Sequence, residues 1–157
     1  MFSPYLLDLF IKDGEFKVQL DNYISTLWFL ISADGLQNAF STPQSPLSVN
    51  PIWDYPSRMI IQPSDIMHAY LYVTLCTYAP NGQDVIAIAR SRVGLRSLPI
   101  SNPRQFRFPL MSAKNAAQEV MSLNVVATLS QLERKHESYG GTNTKFQLAL
   151  SNKLNSR

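Results

Sequence analysis

The sequence predicts an all-β protein built as an antiparallel β-sandwich of roughly eight strands. Short stretches in which apolar and polar residues alternate recur at intervals of roughly 8–15 residues, with turn residues between them. The 157 residues include seven Tyr, eight Phe, two Trp and ten Pro but only six Gly, a composition that favours strands and bent loops. Charged residues make up 16% of the chain, against about 25% in an average domain, which excludes a coiled coil or a charged disordered chain.

Alternating apolar residues predict five strands in the first half of the chain. These strands cover residues 5–12, 15–20, 23–32, 36–42 and 58–62. The Asp13-Gly14 pair between the first two predicts a hairpin turn, and Ala33-Asp34-Gly35 predicts another turn. The third run is dense in β-branched and aromatic residues, so we expect it to be buried on both faces. Four prolines between residues 43 and 56 remove backbone donors, so no central strand or helix is expected there.

The second half of the chain continues this pattern with short helical turns. The predicted strands cover residues 69–77, 84–95, 105–110 and 120–129, the third of them as an edge strand. One helical turn is expected at residues 64–67, and the Ala-rich stretch 112–119 predicts a short helix. These elements place the β-sandwich domain at residues 1–130 and a polar C-terminal tail at 131–157. Helical spacing of apolar residues near the end leaves a short amphipathic helix open as an alternative to a frayed tail.

Catalytic and cofactor motifs are absent from the sequence. There is no nucleophile elbow, phosphate-binding loop or dinucleotide fingerprint, and the carboxylates are few and scattered. His68 and His136 lie far apart, and Cys76 has no basic neighbour that would activate it, so we interpret it as a packing residue. We therefore expect neither an enzyme nor a cofactor. The single Cys and the absence of a signal or membrane-spanning segment favour a cytoplasmic location, with membrane or cytoskeletal association left open.

A family resemblance begins at residues 50–54, which read Asn-Pro-Ile-Trp-Asp. This stretch resembles the N-P-x-W-[ND] signature of C2 domains, the eight-stranded sandwiches first described as calcium- and lipid-binding modules. Further stretches in the same order are similar to other parts of the family pattern. They are residues 71–77 with 84–87, residues 93–98 and residues 118–129. The resemblance covers residues 5–130 and implies a sandwich of C2 type. The residues themselves predict that Trp53 anchors one end of the core.

The sequence departs from the calcium-binding members of this family. In those members five aspartates in two loops bind the metal, and two of the positions are Thr77 and Ala79 here. The remaining acids, Asp13, Asp21 and Asp84, are too few for a cation that takes six to eight oxygen ligands. The lysine-rich cluster of the family is also missing. We therefore expect no metal site and no dependence on calcium.

The net charge of +3 conceals an uneven distribution. Residues 1–84 contain three basic and eight acidic residues, whereas residues 85–118 contain six basic residues and no acid. The six are Arg90, Arg92, Arg96, Arg104, Arg107 and Lys114. Period-2 spacing puts Arg90 and Arg92 on one face of their strand, with Arg107 expected nearby on the next strand. Arginine favours bidentate contacts with carboxylates or phosphates. A solvated face paired with the acidic first half is the alternative interpretation.

These observations favour a non-catalytic, calcium-independent C2-like adaptor or targeting module that acts through protein contacts. The resemblance implies roles of scaffold, trafficking, cytoskeletal or ciliary type. The alternative is peripheral binding to anionic phospholipids through the basic stretch 90–114, helped by a candidate membrane-facing loop with Lys12, Phe16 and Lys17. A third possibility is an enzyme whose site forms only in the folded chain. Nucleic acid is disfavoured because there is no basic helix or RNA-binding signature.

Overall fold

The computed structural model describes residues 4–48, 50–100 and 102–132, which form an antiparallel β structure with two 3₁₀ turns. The strands are β1 Tyr5–Phe16, β2 Thr26–Ala33, β3 Phe40–Ser41, β4 Ser45–Pro46, β5 Ile52–Ile61, β6 Tyr70–Tyr78, β7 Val85–Gly94, β8 Arg104–Ser112 and β9 Glu119–Gln131. The first 3₁₀ turn is Ile66–His68 and the second is Leu95–Ser97. The predicted tail and its helical alternative fall largely on residues 133–157, outside the described residues.

The strands follow the order β3-β2-β6-β7-β8-β9-β1-β5, and β4 adds to β2. All of their pairings are antiparallel. The pairing of β7 with β8 is limited to Ala89 with Ser112 and Arg90 with Met111. The sheet therefore divides into a β3-β2-β6-β7 half and a β8-β9-β1-β5 half, joined at this short seam. This arrangement confirms the predicted all-β sandwich.

Alternating residues of both halves form one core. On β1 the side chains of Leu7, Leu9 and Ile11 are buried, as are Leu71, Val73 and Leu75 on β6. Both triplets alternate with partly exposed residues, as period 2 requires. Burial of one such side chain stabilises the fold by about 1.5–3 kcal/mol relative to its exposure. The core thus rests on the alternation that the sequence displays.

The predicted hairpin at Asp13-Gly14 is wrong. The first strand continues through both residues to Phe16, with a register shift between Ile11 and Asp13. The Gly14 backbone N–H donates to the Pro51 carbonyl at 3.0 Å. A Cβ at Gly14 would overlap Met121 Cε and lie 3.1 Å from a backbone oxygen. Glycine serves close packing at a bulge here, not a turn.

The prediction that the prolines exclude a strand before residue 58 is also wrong, because β5 is longer than the predicted strand 58–62. It begins at Ile52 and includes Pro56, which lies opposite Phe10 of β1. At the end of the strand order, β5 pairs with β1 alone among the described strands. An edge strand tolerates a residue without an N–H. The strand predicted at 36–42 is shorter in the structure, where β3 covers only Phe40–Ser41.

The predicted helix at 112–119 is replaced by the turn between β8 and β9. The Ser112 hydroxyl accepts from the backbone N–H groups of Lys114 and Asn115 at 3.2 and 3.3 Å. The side chain of Asn115 accepts from the Ala117 N–H at 3.1 Å. Such side-chain caps satisfy the donors of a turn as well as those of a first helical turn. The strand predicted at 105–110 is present as β8, but its predicted position at an edge is wrong, because β8 lies between β7 and β9.

Candidate functional site

The exposed Arg90 and Arg92 lie next to each other on the outer face of β7. Their neighbour Ala89 is buried in the core, and Ser91 between them is half-buried. The residues opposite them on β6 are Thr74 and Tyr72. Because the register is regular across these residues and both side chains are exposed, Arg90 and Arg92 lie on the same face of the strand.

Two tyrosines of β6 form a platform beside this arginine pair. The guanidinium carbon of Arg92 lies 4.3 Å from the centroid of the Tyr70 ring. The rings of Tyr70 and Tyr72 are 6.2 Å apart. A cation over a ring face is stabilised by about 0.5–1 kcal/mol at an exposed site. The contact holds Arg92 in place while leaving its N–H groups free to bind an anion.

The carboxylate of Asp34 is near this face but is engaged elsewhere. It accepts the Tyr70 backbone N–H at 2.8 Å and the Tyr72 hydroxyl at 3.2 Å. Desolvation, followed by the negative charge of Asp34, raises the pKa of Tyr72. Asp34 therefore supports the tyrosine platform and makes no ion pair with Arg92 among the described residues.

Arg107 lies farther from the pair than the sequence suggested. It is four residues from Met111, the partner of Arg90 across the seam, or about 13 Å along the strand. It faces Asn124 of β9 and donates from Nε to the hydroxyl of Ser122. Arg107 therefore belongs to the β8-β9-β1-β5 half of the molecule, on the far side of the seam.

The remaining three basic residues are also dispersed. Arg96 lies in the second 3₁₀ turn and donates to the Met67 carbonyl at 3.2 Å. Arg104 begins β8, and Lys114 lies in the turn that follows this strand. All three are exposed. A stretch that is continuous in sequence is therefore not one continuous patch in the fold.

None of the six basic residues pairs with an acid within the part of the chain that the structure describes. The ion pairs found there join Lys17 to Glu15, Arg58 to Asp8 and His68 to Asp65. Neutralisation of the basic stretch by the acidic first half, the alternative left open above, is thus not found among these residues. Arg90 and Arg92 are available to an external anion.

The three residues of the candidate membrane-facing loop are not in one loop. Lys12 lies within β1 at the register shift, and Phe16 ends the same strand, packed against the core. Lys17 follows and pairs with Glu15 at 3.4 Å. The loop expected to carry all three is replaced by the continuous strand.

The three acids considered for calcium have separate partners or positions. Asp13 accepts from the Asn124 side-chain amide at 2.6 Å, and Asp84 accepts from Asn81 at 2.8 Å. Asp21 is exposed in the connection between β1 and β2. Within residues 4–48, 50–100 and 102–132, no group of three His, Cys, Asp or Glu side chains could hold a metal ion.

The other singled-out side chains serve packing or lie on the surface. Trp53 packs edge-on against Phe29 with ring centroids 4.7 Å apart, as expected of a core anchor. Cys76 is buried, and this burial raises the pKa of its thiol. His68 is exposed, and its Nδ1 lies 2.6 Å from Asp65. His136 lies outside the described residues.

Solved structures of C2 domains share this fold. The first C2 domain of a plant extended synaptotagmin 1 has a TM-score of 0.66 and 9% identity, over 82% of this chain and 96% of that one. Human GIVD cytosolic phospholipase A2 has a TM-score of 0.65 and 11% identity, over 84% of this chain and 17% of that one. A CC2D1B structure has a TM-score of 0.61 and 14% identity, over 81% and 55% of the two chains.

The fold is therefore that of a C2-type domain, and at such low identity the likeness shows the fold alone. No protein-family model and no curated protein matches the sequence. This chain spans only a sixth or so of the phospholipase chain, so the activity of that enzyme does not transfer to it. The described residues contain no helix that could cross a membrane.

Proposed function

We propose that this C2-type domain is a non-catalytic, calcium-independent adaptor or targeting module that binds an acidic segment of a protein partner. The observation that carries the proposal is the exposed Arg90 and Arg92 pair beside Tyr70 and Tyr72, with no carboxylate partner among the described residues. Arginine presents a planar fork of donors that matches a carboxylate, and a tyrosine platform orients that fork.

The distribution of basic residues favours a protein segment over a membrane surface. A flat anionic membrane attracts a domain through many cations on one side. Here two of the six lie together on β7, and the others lie across the seam or in turns. Two adjacent cations suit a short acidic segment. Each exposed ion pair contributes about 0.2–1 kcal/mol, so the contact is weak and salt-sensitive.

The same proposal assigns the module to the cytoplasm, in association with a membrane-bound or cytoskeletal partner and without a cofactor. The free and buried Cys76 is compatible with a reducing compartment. His68 also supports a non-catalytic role, because it is exposed and Asp65 is its single carboxylate neighbour among the described residues.

The test compares two charge reversals of equal size. A fluorescent peptide of eight glutamates is titrated with the wild-type chain and with the Arg90→Glu/Arg92→Glu variant at low salt. We expect the variant to bind at least about tenfold more weakly, because repulsion replaces the attraction. The matched control is Arg104→Glu/Lys114→Glu, which changes the net charge equally on other parts of the surface and is expected to retain most of the binding.

Equal losses in both variants would show that the net charge, and not the β7 pair, attracts the peptide. Vesicles of phosphatidylserine and phosphatidylcholine are tested in parallel by sedimentation. Binding to these vesicles without binding to the peptide would replace the proposal with the phospholipid alternative. Absence of binding to both would refute both.

A further inference from the structure

A groove opens at the end of the sandwich where the two 3₁₀ turns lie. Its volume is about 610 Å³. Its apolar lining comes from both turns, from the connection after the second turn and from the end of β9. The lining side chains used below are Ile66, Met67, Leu95, Ile100 and Leu129. Sequence patterning did not reveal this groove, because the turns that form it are far apart in the chain.

Two apolar side chains of the groove are unusually open to solvent. Ile100 is 72% exposed and Met67 is 54% exposed. Below them, Leu95 and Leu129 are buried in the core. Large exposed apolar side chains around a concavity are typical of surfaces that bind a partner. None of the described residues that line the groove is acidic.

Arg96 places a positive charge at this groove. The exposed Arg96 belongs to the groove lining, and its Nη1 donates to the Met67 carbonyl at 3.2 Å. Tyr70 lies two residues after the first 3₁₀ turn, which contains Met67, and the guanidinium group of Arg92 lies over the Tyr70 ring. Arg90 and Arg92 on β7, together with Arg96 in the second 3₁₀ turn, are called the basic row below, and Arg96 is the member that lines the apolar groove.

We infer that the partner segment is both acidic and apolar, with its acidic residues on the basic row and its apolar side chains in the groove. The inference rests on the proposed function, since it names the chemistry of the partner. Arg92 and Arg96 are four positions apart, two in β7 and two in the second 3₁₀ turn, so their Cα atoms are separated by at most about 13 Å. An extended peptide covers this distance with about four residues. The acidic and apolar parts of the segment are therefore expected to be about four residues apart.

The shape of the surface favours a peptide over other occupants. The groove is concave and ends in apolar side chains, which suits two or three side chains of an extended segment. The basic row supplies charge complementarity to acids, whereas residues 144–154 of this chain contain two Lys and no acid. This segment of the chain would therefore place its cations against Arg96.

The test is selection of random twelve-residue peptides displayed on phage against the purified full-length chain. Parallel selections use Ile100→Asp, Arg90→Glu/Arg92→Glu and Val85→Asp. Val85 is 57% exposed and lies at the start of β7, so its variant is a control for an acid at an exposed apolar position away from the groove. Thermal unfolding of each variant confirms that it folds.

We expect wild-type selection to enrich peptides with acidic residues about four positions from apolar ones. Ile100→Asp should lose the apolar preference, the double arginine variant should lose the acidic preference, and Val85→Asp should keep both. At least a tenfold weaker binding of an enriched peptide to Ile100→Asp should follow. Acidic peptides without an apolar preference, equally recovered by Ile100→Asp, would overturn this inference and leave the proposed function standing.

Two other outcomes point elsewhere. Enrichment of basic apolar peptides similar to residues 144–154 would identify the chain itself as the occupant and overturn the inference. Loss of any acidic preference in the wild-type selection would overturn the proposed function together with it. Because the groove and the arginine pair are changed separately, the two failures are distinguishable.

Discussion

At the scale of single residues, the turn after β2 depends on one glycine. Gly35 has a φ of +86°, a conformation that favours glycine, and its carbonyl accepts the Gln62 N–H at 2.8 Å. A Cβ at this position would overlap the backbone of Gln62 and Pro63. The glycine therefore allows both the turn and the close approach of the chain that follows β5. The sequence predicted the turn, but it did not predict the close packing of Gly35 against Gln62 and Pro63, because these residues are distant in the chain.

Gly35→Ala is expected to lower the free energy of unfolding by more than about 2 kcal/mol, because strained backbone adds to a backbone clash. Gly82 provides the matched control. It also has a positive φ, of +74°, but a Cβ added there would meet no atom within 4 Å. Gly82→Ala should cost about 1 kcal/mol, from the conformation alone. Urea unfolding measures both changes, and equal costs would contradict the role assigned to the Gln62–Pro63 contact.

At the scale of elements, one edge of β2 is paired only in part, by the two short strands β3 and β4. Its inner edge pairs with β6 over six residues, whereas β3 and β4 contribute two pairs each. Between these two short strands, Thr42 takes over the pairing. Its backbone N–H donates to the Phe29 carbonyl at 2.8 Å, and its hydroxyl accepts the Phe29 N–H at 2.9 Å. A side chain thus completes the ladder of a buried strand.

Replacement of Thr42 by valine keeps the shape but removes the acceptor. Because the Phe29 N–H is then buried without a partner, we expect a loss of about 1–3 kcal/mol in the free energy of unfolding. Thr42→Ser keeps the hydroxyl and should cost less than Thr42→Val. Chemical denaturation of the two variants tests the difference. A serine variant less stable than the valine variant would show that methyl packing, not the hydrogen bond, dominates at this position.

Sequence patterns predicted the strands better than their connections. Alternation locates β6, β7 and β9 because burial of one face acts on every second residue. It does not show which strands lie at an edge, so Pro56 appeared to exclude a strand that tolerates it. Asp13-Gly14 and Ser112 carry local turn signals whose outcome depends on contacts with Pro51 and with β9. The basic residues were identified, but their separation by the β7–β8 seam is a property of the fold.

At the scale of the whole molecule, the curl of the sheet separates groups that lie close together in the sequence. The six basic residues of the stretch 90–114 divide between the two halves and the turns. The acids Asp13, Asp21 and Asp84 likewise do not form a metal-binding group among the described residues, and Asp13 and Asp84 accept from Asn124 and Asn81. The C2-type fold therefore holds these charged groups in several separate parts of the surface.

Calcium is expected to leave the thermal stability of the chain unchanged. A ligand that binds the folded state raises the unfolding temperature, and a hundredfold excess over Kd stabilises by about 2.7 kcal/mol. We expect no shift at millimolar calcium, because the three acids do not converge. Differential scanning fluorimetry with calcium, with magnesium and with a chelator measures this. A rise with calcium alone, reversed by the chelator, would contradict the calcium-independent assignment.

Pro56 has a consequence for the behaviour of the protein at high concentration. The strand that contains it lies at one end of the described strand order, where a second molecule would otherwise continue the hydrogen-bonded ladder. Because proline offers no N–H, such growth is interrupted near the middle of the strand. Nearby, Arg58 forms an ion pair with Asp8 across the β1–β5 pair. The residue that made this strand hard to recognise thus protects the molecule against edge-to-edge aggregation.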